Sequence, residues 1–150
     1  MSASSPVKLL SVTLGDQLFG IDISHISDIL PRQDDTPVPQ AGRRISGLIN
    51  LRGHIVTLIH VRHCLGLACE DQAKMNVVIE YGHELYGLLF DQVADIIDLH
   101  PGDMEPIPSV LDERWHGIGR GLFRLPQGLL ILLNTDKLVE AAAPNPLETA

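Results

Sequence analysis

Leu10, Val12 and Leu14 alternate with Ser11 and Thr13, the chain turns at Gly15-Asp16, and Phe19, Ile21 and Ile23 then alternate with Gly20 and Asp22. A period of two on both sides of a glycine turn predicts a hairpin with one buried face. Next, Ile26, Ile29 and Leu30 fall at helical spacing behind Ser24, a residue that caps helices, and Pro31 stops the run; a short helix is predicted, with Asp28 on a different face. Prolines, aspartates and a glycine between Arg32 and Arg44 mark an exposed loop. From Ile45 to Leu67 two apolar runs rich in β-branched residues flank the tight turn Leu51-Arg52-Gly53-His54, which predicts a buried hairpin with a cation at its corner. An arginine there either offers its guanidinium to a partner or pairs it with a carboxylate of the same chain.

The second half repeats the first. Gly15-Asp16-Gln17-Leu18-Phe19-Gly20-Ile21 aligns with Gly82-His83-Glu84-Leu85-Tyr86-Gly87-Leu88, an offset of 67 residues that carries Ile26-Ser27-Asp28-Ile29-Leu30 onto Val93-Ala94-Asp95-Ile96-Ile97. Ile55 to Ile59 corresponds to Leu129 to Leu133 at a slightly larger offset. Two copies of one β-rich unit are therefore encoded, each with about five short strands, a size that suits a small barrel. One such barrel buries too little apolar surface to be comfortably stable alone, so the two are expected to pack together. The polar stretch Ala68 to Lys74 reads as the connector between halves. Prolines at 101, 106 and 108 break the chain before a short helix expected over Val110 to Trp115, Gly117 to Phe123 reads as a glycine-bent strand, and Asn134 or Thr135 caps a last helix.

Charge and composition narrow the function. Nineteen acidic against 11 basic residues leave a net charge of −8, which argues against a phosphate backbone as partner. No apolar run reaches the roughly 18 residues that cross a bilayer, and Met1 to Pro6 lacks the basic start and apolar core of a signal peptide. A soluble cytoplasmic protein is expected, with Cys64 and Cys69 as reduced thiols.

The chemistry-bearing residue types cluster in His60, His63, Cys64 and Cys69, with His54 nearby. Zinc accepts such ligands, yet there is no C-x-x-C pair, and a Cys/His nucleophile lacks an elbow such as G-x-S-x-G. His60 and Cys64 read more simply as the end of a strand. Gly117-Ile118-Gly119-Arg120-Gly121 has the wrong spacing and context for a dinucleotide loop. Neither catalysis nor a cofactor is expected. Ile26, Ile29, Val93 and Ile96 are the apolar members of the two repeated helix-like segments; they either complete the core between barrels or line a groove that takes a partner helix.

The order Gly47, then Asn50-Leu51-Arg52-Gly53, then an apolar strand ending in Arg62, then Leu65-Gly66-Leu67 resembles the CheW family, the coupling proteins of bacterial chemotaxis arrays, over roughly Val7 to Glu140. The resemblance implies an all-β fold with short helices: two five-stranded SH3-like β-barrels packed around a shared hydrophobic core. On that plan the domain spans 7–140, with a first barrel at 10–67, a second at 76–134, a short helix at 135–140, and flexible ends at 1–6 and 141–150. It also implies a non-enzymatic adaptor at membrane-associated receptor arrays. Its partners are a chemoreceptor cytoplasmic tip, met through Ile26, Asp28, Ile29, Gly47, Asn50, Arg52, Val93 and Ile96, and a CheA-type histidine kinase regulatory domain, met through strand edges and turns. Asp28 and Arg52 are expected within salt-bridge range. Thr57, His60 and Gln92 stand where the family commonly has proline, aspartate and glycine, which leaves open an adaptor for pili, surface sensing or a second-messenger enzyme. From another class, the histidines and cysteines leave open a metal or redox module.

Overall fold

The computed structural model describes residues 6–39, 44–66, 73–108 and 118–142. The strands are β1 (Val7–Leu14), β2 (Gln17–Asp22), β3 (Ile26–Pro31), β4 (Ile45–Leu51), β5 (His54–His60), β6 (Met75–Tyr81), β7 (Glu84–Phe90), β8 (Gln92–Leu99), β9 (Gly119–Leu125) and β10 (Gly128–Leu133). Among the described residues, the α-helices α1 (Val61–Cys64) and α2 (Thr135–Ala142) follow β5 and β10. The fold is mostly β, with two five-stranded SH3-like barrels in the sheet orders β8-β1-β2-β10-β9 and β3-β6-β7-β5-β4. The polar connector and the helix expected over 110–115 fall largely or wholly outside the described residues.

The repeat is visible strand by strand: β1 to β5 correspond to β6 to β10, and Gly15 and Gly82 turn their hairpins with φ of 59° and 65°. Each sheet, however, mixes the copies. The hairpin β1–β2 takes its neighbours β8, β9 and β10 from the second copy, whereas β6–β7 takes β3, β4 and β5 from the first. One barrel is thus a continuous stretch from Ile26 to Phe90, and the other is split between the two ends of the domain. This corrects the division into barrels at 10–67 and 76–134. The parallel pairs β10 with β2 and β5 with β7 join strands from opposite copies, which a cut at the connector would have left unpaired.

The two segments expected as helices are strands. β3 pairs antiparallel with β6 and β8 with β1, each ladder shifting register once at a bulge. A bulge lets Ile26 and Ile29 share a face in an extended chain, so the spacing of three that suggests a helical turn is equally a bulged strand. Pairing with an apolar neighbour outweighs a helix too short to nucleate favourably. Asp22, not Ser24, caps the turn preceding β3: its Oδ1 accepts from the Ser24 N–H at 2.9 Å and the Ser24 hydroxyl at 2.8 Å. The apolar run after β5 also leaves the strand, so Cys64 lies on α1 and not at a strand end. Asn134 caps α2 as expected, its Oδ1 accepting from the Lys137 N–H at 3.2 Å.

Three apolar clusters explain why the middle strands do not alternate. In β6, Val77 and Ile79 belong to the core shared by both barrels while Val78 fills its own barrel; in β10, Ile131 and Leu133 face the shared core while Leu130 and Leu132 face inward. Both faces of these strands are buried, so the sequence reads as a continuous apolar run. Leu138, Val139 and Ala142 of α2 join the shared core, and the helix is tied down by Tyr81, whose hydroxyl donates to Glu140 at 2.6 Å, and by Arg44 Nη1, which donates to the Ala141 carbonyl at 2.7 Å. A clamp also joins the barrels. Arg62 of α1 pairs with the Asp91 carboxylate, whose Oδ2 accepts the Gly15 N–H at 2.7 Å, while the Asp91 N–H donates to the Thr13 carbonyl at 2.9 Å.

Candidate functional site

β3 and β8 are repeat-related strands at the ends of their sheets, each paired on one side only within its ladder. Their inner apolar residues, Ile26 and Val93, rest on the shared core. Their outer ones do not: Ile29 is 40% and Ile96 56% exposed. Leu30 of β3 and Ile97 and Leu99 of β8 pack into the barrels, so on the opposite face each strand rests one residue on the shared core and leaves an isoleucine uncovered, an arrangement that offers apolar surface to another molecule.

Arg52 reaches β3 because of how the β4–β5 turn is made. Asn50 Oδ1 accepts the Gly53 N–H at 2.9 Å, and Arg52 and Gly53 take φ of 52° and 86°. Two successive positive φ values match the twist of a two-residue hairpin, whose first position normally holds Asn, Asp or Gly. Arg52 is the one residue other than glycine with positive φ among the described residues, a conformation that costs an L-residue about 1–2 kcal/mol. The turn projects the guanidinium onto β3, where Nη1 donates to Asp28 Oδ2 at 2.8 Å and Asp28 Oδ1 accepts the Ile29 N–H at 2.9 Å. The expected pair is formed, and Asp is long enough to make it. Arg52 keeps 75% of its side chain exposed against 24% for Asp28, so the contact adds at most about 1 kcal/mol of stability while leaving most guanidinium N–H groups free.

The remaining residues named from the resemblance have different surroundings. Gly47 is buried under its own chain: a Cβ there would lie 2.6 Å from the Thr36 carbonyl oxygen, and Thr36 and Leu48 exchange two 2.9 Å backbone hydrogen bonds. Gly121 is its counterpart, with a Cβ 2.5 Å from Met104 Cγ beneath a similar bridge between Glu105 and Leu122. Both glycines seat a segment over the edge strand of a sheet, which protects that edge. Asn50 shapes the turn through its side chain.

His60, His63 and Cys64 lie together, the two rings edge to face with centroids 5.4 Å apart. Burial pushes the Cys64 thiol up to about 11, partly countered by Arg44, which disfavours the thiolate that metal binding or nucleophilic attack needs. Cys69 lies outside the described residues, and His54 sits at the far end of β5 from His60. Among the described residues no three His, Cys, Asp or Glu side chains are placed to hold a metal, and no helix is long and apolar enough to cross a membrane.

Two things escaped the reading of the residues. The strain at Arg52 is a backbone property, and the clamp of Arg62 with Asp91 depends on tertiary placement. Asp95 had a signal, since the repeat sets it at the position of Asp28.

A pair of small barrels with an arginine held beside an uncovered apolar edge defines a binding module. A family model for the CheW-like domain matches residues 8–143, and the chain belongs to that family. It is 25% identical over 134 residues to the chemotaxis protein CheW of Thermotoga maritima, covering 89% of this chain and 87% of that one. It is 28% identical over 136 residues to the chemotaxis protein CheW of Helicobacter pylori, covering 89% and 82%. Among solved structures it resembles the scaffolding protein TtCheW from Thermoanaerobacter tengcongensis, with a TM-score of 0.80, 24% identity and coverage of 90% and 93%. The relatives bear the names of chemotaxis and scaffolding proteins, not of enzymes.

Proposed function

We propose that this chain is a non-enzymatic adaptor that couples the helical cytoplasmic tip of a chemoreceptor to the regulatory domain of a CheA-type histidine kinase, at membrane-associated receptor arrays. The observation that carries the reading is Arg52: a strained backbone holds a mostly exposed cation against Asp28, on the strand that carries the exposed Ile29, where it contributes little to folding. Strain kept for a solvent-facing side chain is accounted for by what that side chain binds. In this reading the receptor helix lays an apolar stripe between Ile29 and Ile96, over Ile26 and Val93, and meets Arg52 at its rim. Asn50 supports that surface by shaping the turn that carries Arg52, and Gly47 by making room for the segment at Thr36 that covers β4. The kinase domain takes strand edges and turns elsewhere on the barrels, and several weak contacts made together hold the assembly.

A pull-down with a receptor tip and a kinase regulatory domain tests this. The wild type retains both. Arg52→Glu, which also places a second anion against Asp28, loses the receptor tip and keeps the kinase domain; retention of both by the variant removes Arg52 from the interface.

A further inference from the structure

The repeat gives the Asp28 and Arg52 site a twin that lacks half of it. Asp95 and Ile96 of β8 correspond to Asp28 and Ile29 of β3. The turn corresponding to Leu51-Arg52-Gly53-His54 is Leu125-Pro126-Gln127-Gly128, which holds no cation. Its side chain is exposed and makes no hydrogen bond or ion pair among the described residues, while the nearby Asp98 is matched with Lys8 at 3.1 Å. The backbone of Asp95 is nevertheless fastened: its N–H donates to Ser11 Oγ at 2.9 Å, and the Ser11 hydroxyl donates to its carbonyl at 2.8 Å. A buried serine thus holds an unmatched carboxylate next to the most exposed isoleucine of the edge strand.

We infer that Asp95 selects and orients the partner helix by pairing with a basic side chain on it. The inference rests on the adaptor reading and adds the partner's charge pattern. A pseudo-symmetric apolar surface binds a helix about equally well in either direction, because Ile29 and Ile96 offer the same chemistry. Unlike charges on the two repeat-related strands, Arg52 held on β3 and Asp95 on β8, remove that ambiguity: Arg52 favours an acidic or carbonyl-bearing part of the helix, Asp95 a lysine or arginine. Such charges discriminate between orientations more than they add affinity, since the wrong orientation sets like charges against each other. Fixing the carboxylate beforehand lowers the ordering cost of the pair.

The test titrates a purified receptor signalling-tip fragment against the wild type, Asp95→Lys and Arg52→Glu, and against tip variants in which each exposed Lys or Arg is replaced singly by Glu. Asp95→Lys is expected to weaken binding about tenfold with an unchanged melting temperature, and one tip variant, itself weak with the wild type, regains binding with Asp95→Lys. Affinity within twofold of wild type for Asp95→Lys, with Arg52→Glu impaired, overturns the inference and leaves the adaptor reading standing. A loss that no tip variant rescues also overturns it. If the wild type does not bind the tip, the adaptor reading falls and takes the inference with it.

Discussion

The β4–β5 and β9–β10 turns hold the same place in the two copies, and they are built to opposite ends. The first spends a left-handed conformation on an arginine and uses an asparagine to hold it. The second joins its strands through Pro126 and Gln127, with positive φ only at Gly128. The strands around both turns keep the same order and the same antiparallel pairing. Where duplicated units stay alike the fold demands it, and where they part each difference needs its own reason, inside the fold or outside it. That criterion separates Gly47 from Arg52. Gly47 has a counterpart in Gly121 doing the same structural task, whereas Arg52 has none.

The largest test of this comparison concerns the clamp between barrels, which also has no counterpart: Ser24 and Asp136 stand at the positions related to Asp91 and Arg62. The pair is largely buried, with 14% of the Arg62 and 12% of the Asp91 side chain exposed. Removing one member of a buried pair strands the other charge, so Arg62→Ala is expected to lower stability by about 3–5 kcal/mol in urea unfolding. A loss below about 1 kcal/mol makes the clamp incidental to the fold.

The twin glycines sharpen the comparison next. Gly47→Ala presses a methyl group against a backbone oxygen, which cannot yield without breaking the bridge to Leu48; Gly121→Ala meets the flexible Met104 first and the Glu105 carbonyl at 2.9 Å second. Overpacking of this kind costs about 1–3 kcal/mol. Gly47→Ala is expected near the top of that range and Gly121→Ala near the bottom, compared by thermal unfolding. The reverse order contradicts the account of the two covered edges.

The smallest effect has the opposite sign. Asn76 is fully buried inside the continuous barrel, and neither its Nδ2 nor its Oδ1 has a protein partner. The related residue in the split barrel is Leu9, which packs against Gly20 as Asn76 packs against Gly87. Asn76→Leu copies one barrel's solution into the other and removes an unsatisfied amide, so a gain of about 1–2 kcal/mol is expected, a rise of about 2–8 °C in melting temperature. A lower melting temperature shows that the two interiors differ in more than this residue.

These residues also show how far the amino-acid order could be read. The turns at Gly15 and Gly82 and the paired apolar runs disclosed a duplicated β unit, because turn chemistry and burial are local properties. The strand character of β3 and β8 was hidden by their bulges, which shift Ile26 and Ile29 into helical spacing. The pairing of Arg52 with Asp28 followed from family resemblance, since nothing in a separation of 24 residues predicts a contact. The clamp and the orphaned amide of Asn76 depend on which strands become neighbours, and the exchange of strands between copies is not written in either copy alone.

That exchange also sets a schedule. As the chain leaves the ribosome, the barrel from Ile26 to Phe90 can close once β7 has emerged, because all five of its strands have by then been made. The hairpin β1–β2 is synthesised first and completed last. Until β8, β9 and β10 arrive, Leu9, Phe19 and Ile21 have no finished sheet to enter, and the earliest hairpin of this domain to be made is the one with the longest wait and the greatest need for protection from aggregation.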